Sequence, residues 1–505
     1  MNKGLLQSSE NWIKVRQAFA EWSSSPLDIR IKKLKRLRHE IVGRLEEIIA
    51  AVQQDAGKVR TEALLTDILP TLEILRFNEK NAGRLLCPEK RAGSLLFPGT
   101  CAHVIHKPYG VVLIVAPWNN PFQLTLLPAA TALLAGNAVI IKPSEKTPGV
   151  ASILRELFAA VNFPASLVEI VDGGPETVAE LVNAGPDIIF FTGGLHGGKA
   201  VYRLAAEKMI PAIMELGGKD AMIVFADADL DRAAKAAVYG AFAHDGQHCV
   251  SVERVYVAEN IVEPFLSRVV AHVAVLRRSA ENGADLAATL DAKTAQRIQG
   301  QIADALERGA RLLTVAENDK ALFPAVVADV PPDALLMRKE SFGPVLAAAS
   351  FADEAEVLRL ANDCDFGLNA SIWTRDSARA RRVAQHLETG CVCINNVLVN
   401  AGHPALPFGG VKQSGFGRYH GPEGLLSFTC PKAILDQRRV GSGGLNLFPY
   451  DNELTEITED LIRLRYGQKF GIGQKIRGWF TLASRRAARL RRVSSALEKI
   501  ERLQR

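Results

Sequence analysis

The hydrophobic and polar positions change their spacing along the chain. From residue 10 to about residue 80, apolar residues recur every three or four positions, as in "IRIKKLKRLRHEIVGRLEEIIAAVQQDAGK", with lysines and arginines between them. This spacing predicts amphipathic helices that wrap another layer. The next stretch, "SLLFPGTCAHVIH" (94–106), has two short strand-like runs about a Pro-Gly turn and predicts a hairpin.

The pattern of apolar residues changes near residue 110. Four apolar runs without alternation follow at spacings that leave room for a helix between them: "GVVLIVAPW" (110–118), "NAVIIKPS" (137–144), "SLVEIV" (166–171) and "DIIFFTG" (187–193). Strands of this kind are buried on both faces, as in a parallel sheet covered by helices. The βαβ rhythm predicts a doubly wound nucleotide-binding domain.

A second alternating region follows Glu215. Its strand candidates are "AMIVF" (221–225), "VERVYVA" (252–258), "GPVLAAASF" (343–351), "SIWT" (371–374) and "CVCINN" (391–396). They predict a second α/β domain. No repeat or low-complexity linker interrupts the chain before "GSGG" (441–444), which marks a junction to the C-terminal segment.

The composition is that of a globular protein rather than a disordered one. The 505 residues exceed what one hydrophobic core fills, 48% of them are hydrophobic and 23% are charged. There is no signal peptide and no run of 18 apolar residues, and the seven scattered cysteines include no C-x-x-C pair. These features predict a cytoplasmic protein of two or three domains without disulfides or a metal site.

The net charge of +6 comes from the end of the chain. Residues 467–505 carry eleven Lys/Arg against two Glu, which leaves −3 for residues 1–466, so a nucleic-acid-binding function has no basis in the main body. On a helical reading the segment has a ragged apolar stripe formed by Ile476, Phe480, Leu482, Leu490, Val493, Leu497 and Ile500, beside Trp479. Such a basic amphipathic helix fits an anionic membrane surface. The alternatives are a helix docked on the protein itself or on a partner subunit, and a disordered basic end.

Cys249, in "AHDGQHCV" (243–250), is the first candidate for chemistry. A free cysteine is most often a small buried core residue, but the polar, glycine-bearing approach "HDGQH" is typical of a turn whose amides point at an oxyanion. Glu215, in "MELGGK" (214–219), stands where a strand leaves the sheet. Burial there would raise its pKa and suit a general base, with a capping or ion-paired glutamate as the alternative.

Three further stretches offer ligand contacts. The glycines of "FTGGLHGGK" (191–199) follow a strand and precede a helical run, where amides can hold a phosphate. The Lys and Glu of "KPSEKTP" (142–148) end a buried strand and suit ribose hydroxyls. "PWNNP" (117–121) places Asn119 between prolines. Each of these patterns by itself is also typical of ordinary turns and solvated strand ends.

Taken in order, these stretches resemble the aldehyde dehydrogenase superfamily from about residue 10 to residue 440. The resemblance is carried by seven motifs at the family's spacings: "PWNNP", "KPSE", "FTG-x4-G", "ELGGK", "GQHC", "ESFGP" and "LPFGGVKQSGFGRYHG". The closing "PFGGVKQSGFGRYHG" (407–421) is most similar to the class 3 branch, which includes fatty aldehyde dehydrogenases.

The resemblance implies an α/β fold of three parts and a tail. These parts would be a Rossmann-type NAD-binding domain over 1–89 and 109–216, a catalytic α/β domain over 217–412, a small β element for oligomerisation over 90–108 and 413–440, and a basic C-terminal tail over 441–505. In the family the β element extends a sheet across a subunit interface. The resemblance therefore implies a homodimer, in which an otherwise exposed strand edge is covered.

The implied reaction is the NAD-dependent oxidation of a medium- or long-chain aliphatic or aromatic aldehyde to the acid, through a thiohemiacetal and a thioester of Cys249. Glu215 would activate the water that hydrolyses the thioester, and the Asn119 amide with the Cys249 N–H would form the oxyanion hole. The implied cofactor contacts are Lys142 and Glu145 at the adenosine ribose, Gly193 and Gly198 beside the pyrophosphate, Glu340 at the nicotinamide ribose and Phe342 near the nicotinamide.

The chain departs from the family pattern at a few positions. His244 replaces an asparagine found in many members, and Gly194 stands where serine or asparagine is common. Lys146, next to Glu145, softens the discrimination against a 2′-phosphate, so NAD is favoured and NADP stays open. His248 is interpreted as structural, because adjacent residues in a chain usually point apart.

Two other functions are weighed against this one. A CoA-acylating semialdehyde dehydrogenase is disfavoured because such members commonly lack a carboxylate at the position of Glu215. A catalytically silent dehydrogenase-fold scaffold is disfavoured because both Cys249 and Glu215 are present.

Overall fold

The computed structural model describes residues 9–93, 100–279, 283–286, 291–314, 324–437, 450–467, 478–485, 487–489 and 491–492. The chain forms two compact units: Met1–Cys87 with His106–Cys430, and Pro88–Ile105 with Pro431–Arg505. Several predicted features lie outside the described residues: the strand run at 94–97, the junction at 441–444, and Ile476, Leu490, Val493, Leu497 and Ile500 of the tail stripe.

Helices and strands alternate through most of the first unit. The helices are α1 Ser9–Ser23, α2 Leu27–Gly43, α3 Leu45–Ala56, α4 Arg60–Glu62, α5 Leu69–Leu85, α6 Gln123–Ala135, α7 Pro148–Val161, α8 Pro175–Asn183, α9 Leu195–Glu207, α10 Leu230–Phe242, α11 Val262–Ala274, α12 Ala292–Glu307, α13 Leu335–Arg338, α14 Glu354–Asn362, α15 Ser377–His386, α16 Gly421–Leu426 and α17 Asn452–Tyr466, with a π-helix at Ala63–Ile68 and 3-10 turns at Ala243–Gly246, Glu259–Ile261 and Val399–Gly402. The strands are β1 Glu89–Lys90, β2 Thr100–Pro108, β3 Val111–Val115, β4 Ala138–Lys142, β5 Val168–Ile170, β6 Ile188–Thr192, β7 Ala212–Glu215, β8 Asp220–Val224, β9 Val252–Ala258, β10 Arg311–Leu312, β11 Ala325–Ala328, β12 Val345–Phe351, β13 Phe366–Gly367, β14 Asn369–Trp373, β15 Cys391–Ile394, β16 Val411–Lys412, β17 Gly415–Phe416 and β18 Thr429–Gln437.

The N-terminal helices form the layer that the apolar spacing predicts. In α2, Leu34, Leu37 and Ile41 lie three and four positions apart and are buried. The indole N–H of Trp22 donates to the backbone carbonyl of Leu133 at 2.8 Å, which ties α1 to α6. Every residue of α6 is buried, so this helix forms part of the core that the N-terminal layer covers.

A six-stranded sheet carries the first set of predicted strands. Its order is β17-β7-β6-β3-β4-β5, and all neighbours are parallel except the antiparallel pair β17 and β7. The chain adds β4 and β5 on one side of β3 and then β6 and β7 on the other. Such a reversal opens a crevice at the carboxyl edge of the sheet. The prediction of a doubly wound domain is confirmed.

A seven-stranded sheet carries the second set. Its order is β10-β11-β12-β9-β8-β14-β15, and only β10 runs antiparallel to its neighbour. The predicted run 252–258 is strand β9 over its whole length, whereas the run 343–351 begins two residues later as β12. Strand β11 was not predicted, because four apolar residues are too short a signal to separate a strand from a loop.

The second unit contains the three-stranded sheet β1-β2-β18. Strand β2 covers the second run of the predicted hairpin and pairs antiparallel with Glu89–Lys90. Strand β18 ends the order of this sheet and is exposed along most of its length.

The C-terminal segment of the second unit is helical where it is described. Residues 478–485 follow α17 as a helix, and Leu482 packs with Ile457 and Leu461. The arginines of the segment pair with the acidic face of α17: Arg485 with Glu456 and Asp460, Arg489 with Asp451, and Arg492 with Glu453. Part of the predicted basic face is therefore neutralised within the unit itself, as the alternative of docking on the protein's own body anticipates.

The cysteines and the helices agree with the composition. All seven cysteines are unpaired in the structure. Among the described residues, no helix combines the length and apolar character needed to cross a bilayer, and no group of three or more potential ligands is arranged for a metal.

Candidate active site

A cavity of about 590 Å³ opens at the carboxyl edge of the six-stranded sheet. Loops after β3, β4, β6 and β7 form its walls together with the turn before β9 and the first turns of α12. Most of the residues predicted for the site line this cavity: Asn119, Glu145, Gly193, Glu215, Cys249, Glu340 and Phe342. Lys142 and Gly198 are the two that lie outside the lining. The fold thus brings together residues that are up to 223 positions apart in the sequence.

The turn before Cys249 has an uncommon backbone. His244, Asp245 and Gly246 have φ angles of 51°, 53° and 69°, three left-handed residues in succession. Such a conformation costs on the order of 1–3 kcal/mol for each residue other than glycine. At Gly246 a Cβ atom would overlap the backbone carbonyl of Gly343, so only glycine fits there. Surrounding contacts must stabilise this turn, which we call the nucleophile turn (residues 243–249).

Two buried carboxylates hold the nucleophile turn. The backbone N–H of His244 donates to the carboxylate of Glu62, which lies just before the π-helix. The carboxylate of Asp245 pairs with Arg278 at 2.5 Å. Because the side chains of Asp245 and His244 are fully buried, these contacts replace water at the strained backbone.

Asn119 lies beside the nucleophile turn. Its Nδ2 donates to the backbone carbonyl of Gln247 at 2.9 Å, two residues before Cys249, and its side chain is buried at the cavity wall. A side-chain amide and a backbone N–H on one side of a thiol are the kind of donors that stabilise a tetrahedral oxyanion. The predicted amide donor and the predicted nucleophile are therefore neighbours.

The paired glycines of the "ELGGK" motif make room for this arrangement. A Cβ atom on Gly218 would overlap the backbone carbonyl of Cys249, and one on Gly217 would overlap the carboxylate of Glu340. The glycines are thus required by the close approach of the nucleophile turn and of Glu340 to the strand end at Glu215.

Glu215 is buried at the end of β7, and neither of its carboxylate oxygens has a hydrogen-bond partner. Burial raises its pKa well above the ordinary value, while the positive charge of Arg418 acts in the opposite direction. A Cβ atom on Gly409 would stand 2.8 Å from Oε1 of Glu215, so this glycine leaves space for the carboxylate. Because its pKa is raised, this buried carboxyl keeps its proton to a higher pH than an ordinary glutamate does. This is the property expected of the general base that the sequence predicts.

The thiol of Cys249 is half-buried and has a raised pKa. Burial is the largest cause, followed by the carboxylates of Asp220 and Glu215. The resting thiol is therefore protonated at neutral pH, and an attacking thiolate must be generated in the site.

The residues predicted for the adenosine end are held by an ion pair. Lys142, at the end of β4, contacts the carboxylate of Glu145 at 2.7 Å. The ammonium of Lys146 lies 5.1 Å from the centre of the Trp118 ring, across the mouth of the cavity. Of these three charged residues, Glu145 and Lys146 line the cavity and Lys142 does not.

The glycine loop after β6 divides into two roles. Gly193 and Gly194 line the cavity at the N-terminus of α9. Gly198 instead lies inside the first turns of α9, where a Cβ atom would overlap the side chain of Leu216. Gly198 is thus required for close packing of α9 on the loop after β7, and the predicted contact of Gly193 and Gly198 with a pyrophosphate stays a prediction.

The loop that carries Glu340 and Phe342 is held in place by the buried ion pair of Glu253 and Lys219. The carboxylate of Glu253 pairs with Lys219 at 2.6 Å and accepts the backbone N–H groups of Ser341 and Phe342. Burial raises the pKa of Glu340 to about 7. The Glu340 loop is therefore fixed by contacts to β9 and to the lysine of the "ELGGK" motif.

The two histidines of the nucleophile turn are neutral. Burial lowers the pKa of His244 well below its ordinary value and that of His248 to about 3. Nδ1 of His248 lies 3.2 Å from Nδ2 of Asn120, which donates to it. The interpretation of His248 as a structural residue agrees with this contact.

Sequence reasoning missed the buried polar residues that support the loop after β3. Lys58 and Asp67 form an ion pair of 2.5 Å that is shielded from solvent, and Lys58 also contacts Asn120. Their neighbours in the sequence are ordinary amphipathic-helix residues, and no local pattern distinguishes a lysine or aspartate that points inward from one on a solvated face. Trp118 and Arg297, which also line the cavity, were missed for the same reason.

The geometry coincides with a known family. The sequence profile of the aldehyde dehydrogenase family matches residues 10–434, which is most of the chain. The chain belongs to the aldehyde dehydrogenase family. The superfamily resemblance and the fold class predicted from the sequence are thus confirmed, and the chain is an NAD(P)-dependent aldehyde dehydrogenase. The narrower assignment to the class 3 branch stays a prediction.

Known aldehyde dehydrogenases and related proteins are similar over nearly the whole length. The chain is 44% identical over 457 residues to a 4,4'-diapolycopene aldehyde oxidase of Methylomonas, which covers 90% of this chain and 86% of that protein. A Mycobacterium tuberculosis aldehyde dehydrogenase solved with NAD+ has a TM-score of 0.79 and 31% identity, covering 84% of this chain and 88% of that one. An E. coli NADP-dependent enzyme has a TM-score of 0.80 and 28% identity, covering 85% and 90%.

The cavity of this aldehyde dehydrogenase fits a dinucleotide. The hydroxyl of Thr192 is a buried polar group without a partner that lines it, and Gly193 and Gly194 line it at the N-terminus of α9. These groups suit the hydroxyls and phosphates of a nucleotide.

Proposed function

We propose that the protein oxidises a long, apolar aldehyde to its carboxylic acid, with Cys249 as the nucleophile and Glu215 as the general base. The observation that carries this proposal is the presence of Cys249, Glu215 and Asn119 in the wall of one cavity. The same cavity has the groups that suit a dinucleotide. Neither a CoA-acylating enzyme nor a silent scaffold requires a buried carboxylate with a raised pKa next to the thiol.

The reaction begins at Cys249. The thiol of Cys249 gives its proton to the nearby Glu215 carboxylate, which releases it to solvent. The thiolate then adds to the carbonyl carbon, and the oxyanion that forms accepts hydrogen bonds from the Asn119 amide and from the backbone N–H of Cys249. Each such donor is worth about 3–4 kcal/mol in related acyl-transfer sites. A bound NAD(P) supplies the acceptor for the hydride that leaves this carbon. The enzyme is left with a thioester on Cys249.

Glu215 completes the cycle. Its carboxylate is buried next to Gly409 and has no hydrogen-bond partner. It is therefore available to take a proton from a water molecule that attacks the thioester. The acid then leaves, and the proton that Glu215 took from water returns to the sulfur and restores the thiol of Cys249. Hydrolysis is therefore the expected fate of the thioester rather than transfer to coenzyme A.

The cofactor contacts follow the lining of the cavity. Glu145, which is ion-paired with Lys142, would accept hydrogen bonds from the hydroxyls of an adenosine ribose. Gly193 and Gly194 would face the pyrophosphate. Glu340 and Phe342 would hold the nicotinamide end. The Glu145 carboxylate at the ribose favours NAD, whereas Lys146, which also lines the cavity, leaves NADP accessible as a weaker cofactor.

The substrate class rests on a relative. The 44% identical Methylomonas protein is named for 4,4'-diapolycopene aldehyde. We infer the same class for this chain, which is compatible with the medium- or long-chain substrates expected from the sequence. A panel of aldehydes from butanal to a C30 polyene aldehyde, compared by kcat/KM from NADH absorbance, tests it. The value should rise with chain length, and a maximum at butanal would contradict the proposal.

The activity itself has a simple test. NADH absorbance should rise when octanal is added to the enzyme with NAD+, and Cys249→Ala should abolish this rise. Cys364→Ala, at a buried cysteine that does not line the cavity, is the matched control and should keep the activity. NADH formation by the Cys249→Ala variant would contradict the role of the nucleophile.

A homodimer is proposed from the edge strand of the second unit. Strand β18 is nine residues long, ends its sheet and exposes Leu435. Pairing with the same strand of a second copy would cover this edge. Sedimentation velocity should give a dimer of the full chain, and Leu435→Lys should shift it toward the monomer, whereas a monomeric parent would contradict the proposal.

We also propose peripheral contact with an anionic membrane through residues 467–505, with fewer free positive charges than the sequence predicts. Phe480 and Tyr466 are exposed aromatic side chains on this unit, but Arg485 and Arg489 are paired internally. Co-sedimentation with vesicles containing anionic lipid should be stronger for the full chain than for a chain ending at Ser442. Equal pelleting of the two would refute the contact.

A further inference from the structure

A buried ion pair stands behind the loop that carries Asn119. Lys58, between α3 and α4, contacts Asp67 of the π-helix at 2.5 Å, and the side chains of both are completely shielded from solvent. The ammonium of Lys58 also donates to the hydroxyl of Thr66 at 2.8 Å and to the side-chain carbonyl of Asn120. Ionised groups are seldom buried in this way, since the loss of hydration usually exceeds the attraction of the pair.

Asp67 holds the far end of the same loop. Its Oδ1 accepts the backbone N–H groups of Phe122 and Gln123, both at 3.1 Å, where α6 begins. Every residue of α6 is buried, so water cannot satisfy the first N–H groups of this helix. The carboxylate supplies the acceptors instead, and a negative charge at this end also suits the helix dipole.

Lys58 holds the residue that follows Asn119 in the loop and, through it, the nucleophile turn. Asn120, whose carbonyl accepts from Lys58, turns its amide to Nδ1 of His248 at 3.2 Å. His248 immediately precedes Cys249. The side-chain amide of Asn119, the neighbouring residue, reaches Gln247 of the same turn.

The loop 117–123 is thus fixed directly after Asn119, at Asn120 and at Phe122–Gln123, by one pair of opposite charges. We propose that Lys58 and Asp67 are positioning residues of the oxidation, which set the direction of the Asn119 amide and its distance from Cys249. Neither residue touches the cavity, so they act on the reaction only through the loop. This inference rests on the proposed role of Asn119 as an oxyanion donor.

The structure sets the size and kind of effect. Loss of a complete oxyanion donor costs about 10²–10³-fold in rate. Lys58→Met removes the charge and keeps most of the volume, and it should lower kcat/KM for octanal by about 10–100-fold, because the amide is misdirected rather than removed. The Kd for NAD+ should stay within about twofold, since the ion pair lies outside the cavity.

Variants are compared in the full-length enzyme. Lys58→Met leaves the Asp67 carboxylate without its counter-ion, so Lys58→Met/Asp67→Asn, a pair without net charge, is made beside it. Arg38→Met is the matched control, because it removes the Arg38–Glu79 ion pair from the same helical layer at a place with no contact to the loop. Thermal unfolding and near-ultraviolet circular dichroism report whether each variant is folded.

The deciding measurement is a double-mutant cycle with Asn119→Ala. If the ion pair acts through Asn119, Lys58→Met should lower kcat/KM about 10–100-fold in the parent and less than about threefold in the Asn119→Ala background. The charge-neutral double variant should show the same pattern, and Arg38→Met should leave kcat/KM unchanged in both backgrounds.

Every other outcome overturns the inference. Equal losses in both backgrounds would mean that the ion pair acts elsewhere, and no loss in the parent would mean that it does not position the loop. Failure of the charge-neutral variant to fold would assign the pair to folding alone. Cys249→Ala separates this inference from the proposed function: if that variant still forms NADH, the proposed function fails, whereas if it is inactive and the cycle is additive, only the positioning role fails.

Discussion

The side-chain amide of Asn119 donates a 2.9 Å hydrogen bond to the backbone carbonyl of Gln247, a residue 128 positions away. This bond joins the loop after β3 to the nucleophile turn. It also shows where the amide points before an aldehyde arrives: toward the segment that ends in Cys249.

Asn119→Ala should lower kcat/KM for octanal by about 10²–10³-fold, because one of two oxyanion donors is lost. The Kd for NAD+ should change little. Asn81→Ala, which removes an amide bonded to the backbone carbonyl of Phe77 within α5, is the control and should keep full activity. Steady-state kinetics decide the matter, and a loss of less than threefold in Asn119→Ala would remove Asn119 from the oxyanion hole.

Glu215→Gln should separate the two halves of the reaction. The amide cannot accept a proton from water, so we expect one equivalent of NADH in a burst and then a steady-state rate at least 10²-fold below that of the parent. Glu169→Gln, at a half-buried glutamate of β5 that does not line the cavity, is the control. Stopped-flow absorbance reports both phases, and an unchanged steady-state rate would sink the assignment.

The pKa of Glu215 predicts a pH dependence. Burial raises this pKa, and only the ionised carboxylate acts as a base, so the deacylation rate should increase with pH until the raised pKa is passed. The rising limb should be absent from the residual rate of Glu215→Gln. A rising limb of the same shape in both proteins would assign it to another group.

Alkylation of Cys249 should become faster with pH over a wide range. Burial raises the pKa of this thiol, so the reactive thiolate fraction of the resting enzyme grows about tenfold for each pH unit without a plateau below pH 10. Incorporation of iodoacetamide, followed by mass spectrometry, measures it, with Cys249→Ser as the control for the other six cysteines. A plateau near pH 7 would show that the resting site already stabilises the thiolate.

His248 should make the fold sensitive to acid. Its pKa is about 3 in the folded protein against an ordinary 6.5, so the unfolded chain binds the proton more tightly and stability is lost as the pH falls below 6.5. The loss is about 2 kcal/mol at pH 5 by this linkage. His248→Asn should flatten the decline between pH 6.5 and 5 in urea unfolding, and His39→Asn, at an exposed histidine, should not. Parallel declines in His248→Asn and the parent would contradict the prediction.

The order of the motifs allowed much of the fold and site to be predicted. The apolar runs located most of the parallel strands of both sheets, because strands buried on two faces leave a continuous hydrophobic signature. The shorter strands β7, β10, β11 and β17 were not predicted. The different positions of the glycines in the loop after β6 could not be predicted from the sequence. Gly198 and Gly193 look alike in sequence, yet one packs against Leu216 and the other faces the cavity.

The C-terminal segment shows the same limit for charge. Its composition suggested a free basic face, but Arg485 and Arg489 reach back to Glu456 and Asp451 of α17. A count of charges cannot say which of them meet, because the pairing depends on how two helices lie against each other.

The sequence by itself determined the candidates for the chemistry: Cys249, Glu215 and Asn119 stand in motifs whose local backbone needs, such as a glycine turn or a strand end, are visible in one stretch of chain. Only the tertiary structure decided what holds them. Glu62 supports His244 from 182 residues away, and Lys58 supports Asn120 from 62. These contacts join buried polar groups of the helical layer to the site, and a buried charge and a solvated one have the same letter in a sequence until the fold removes the water around one of them.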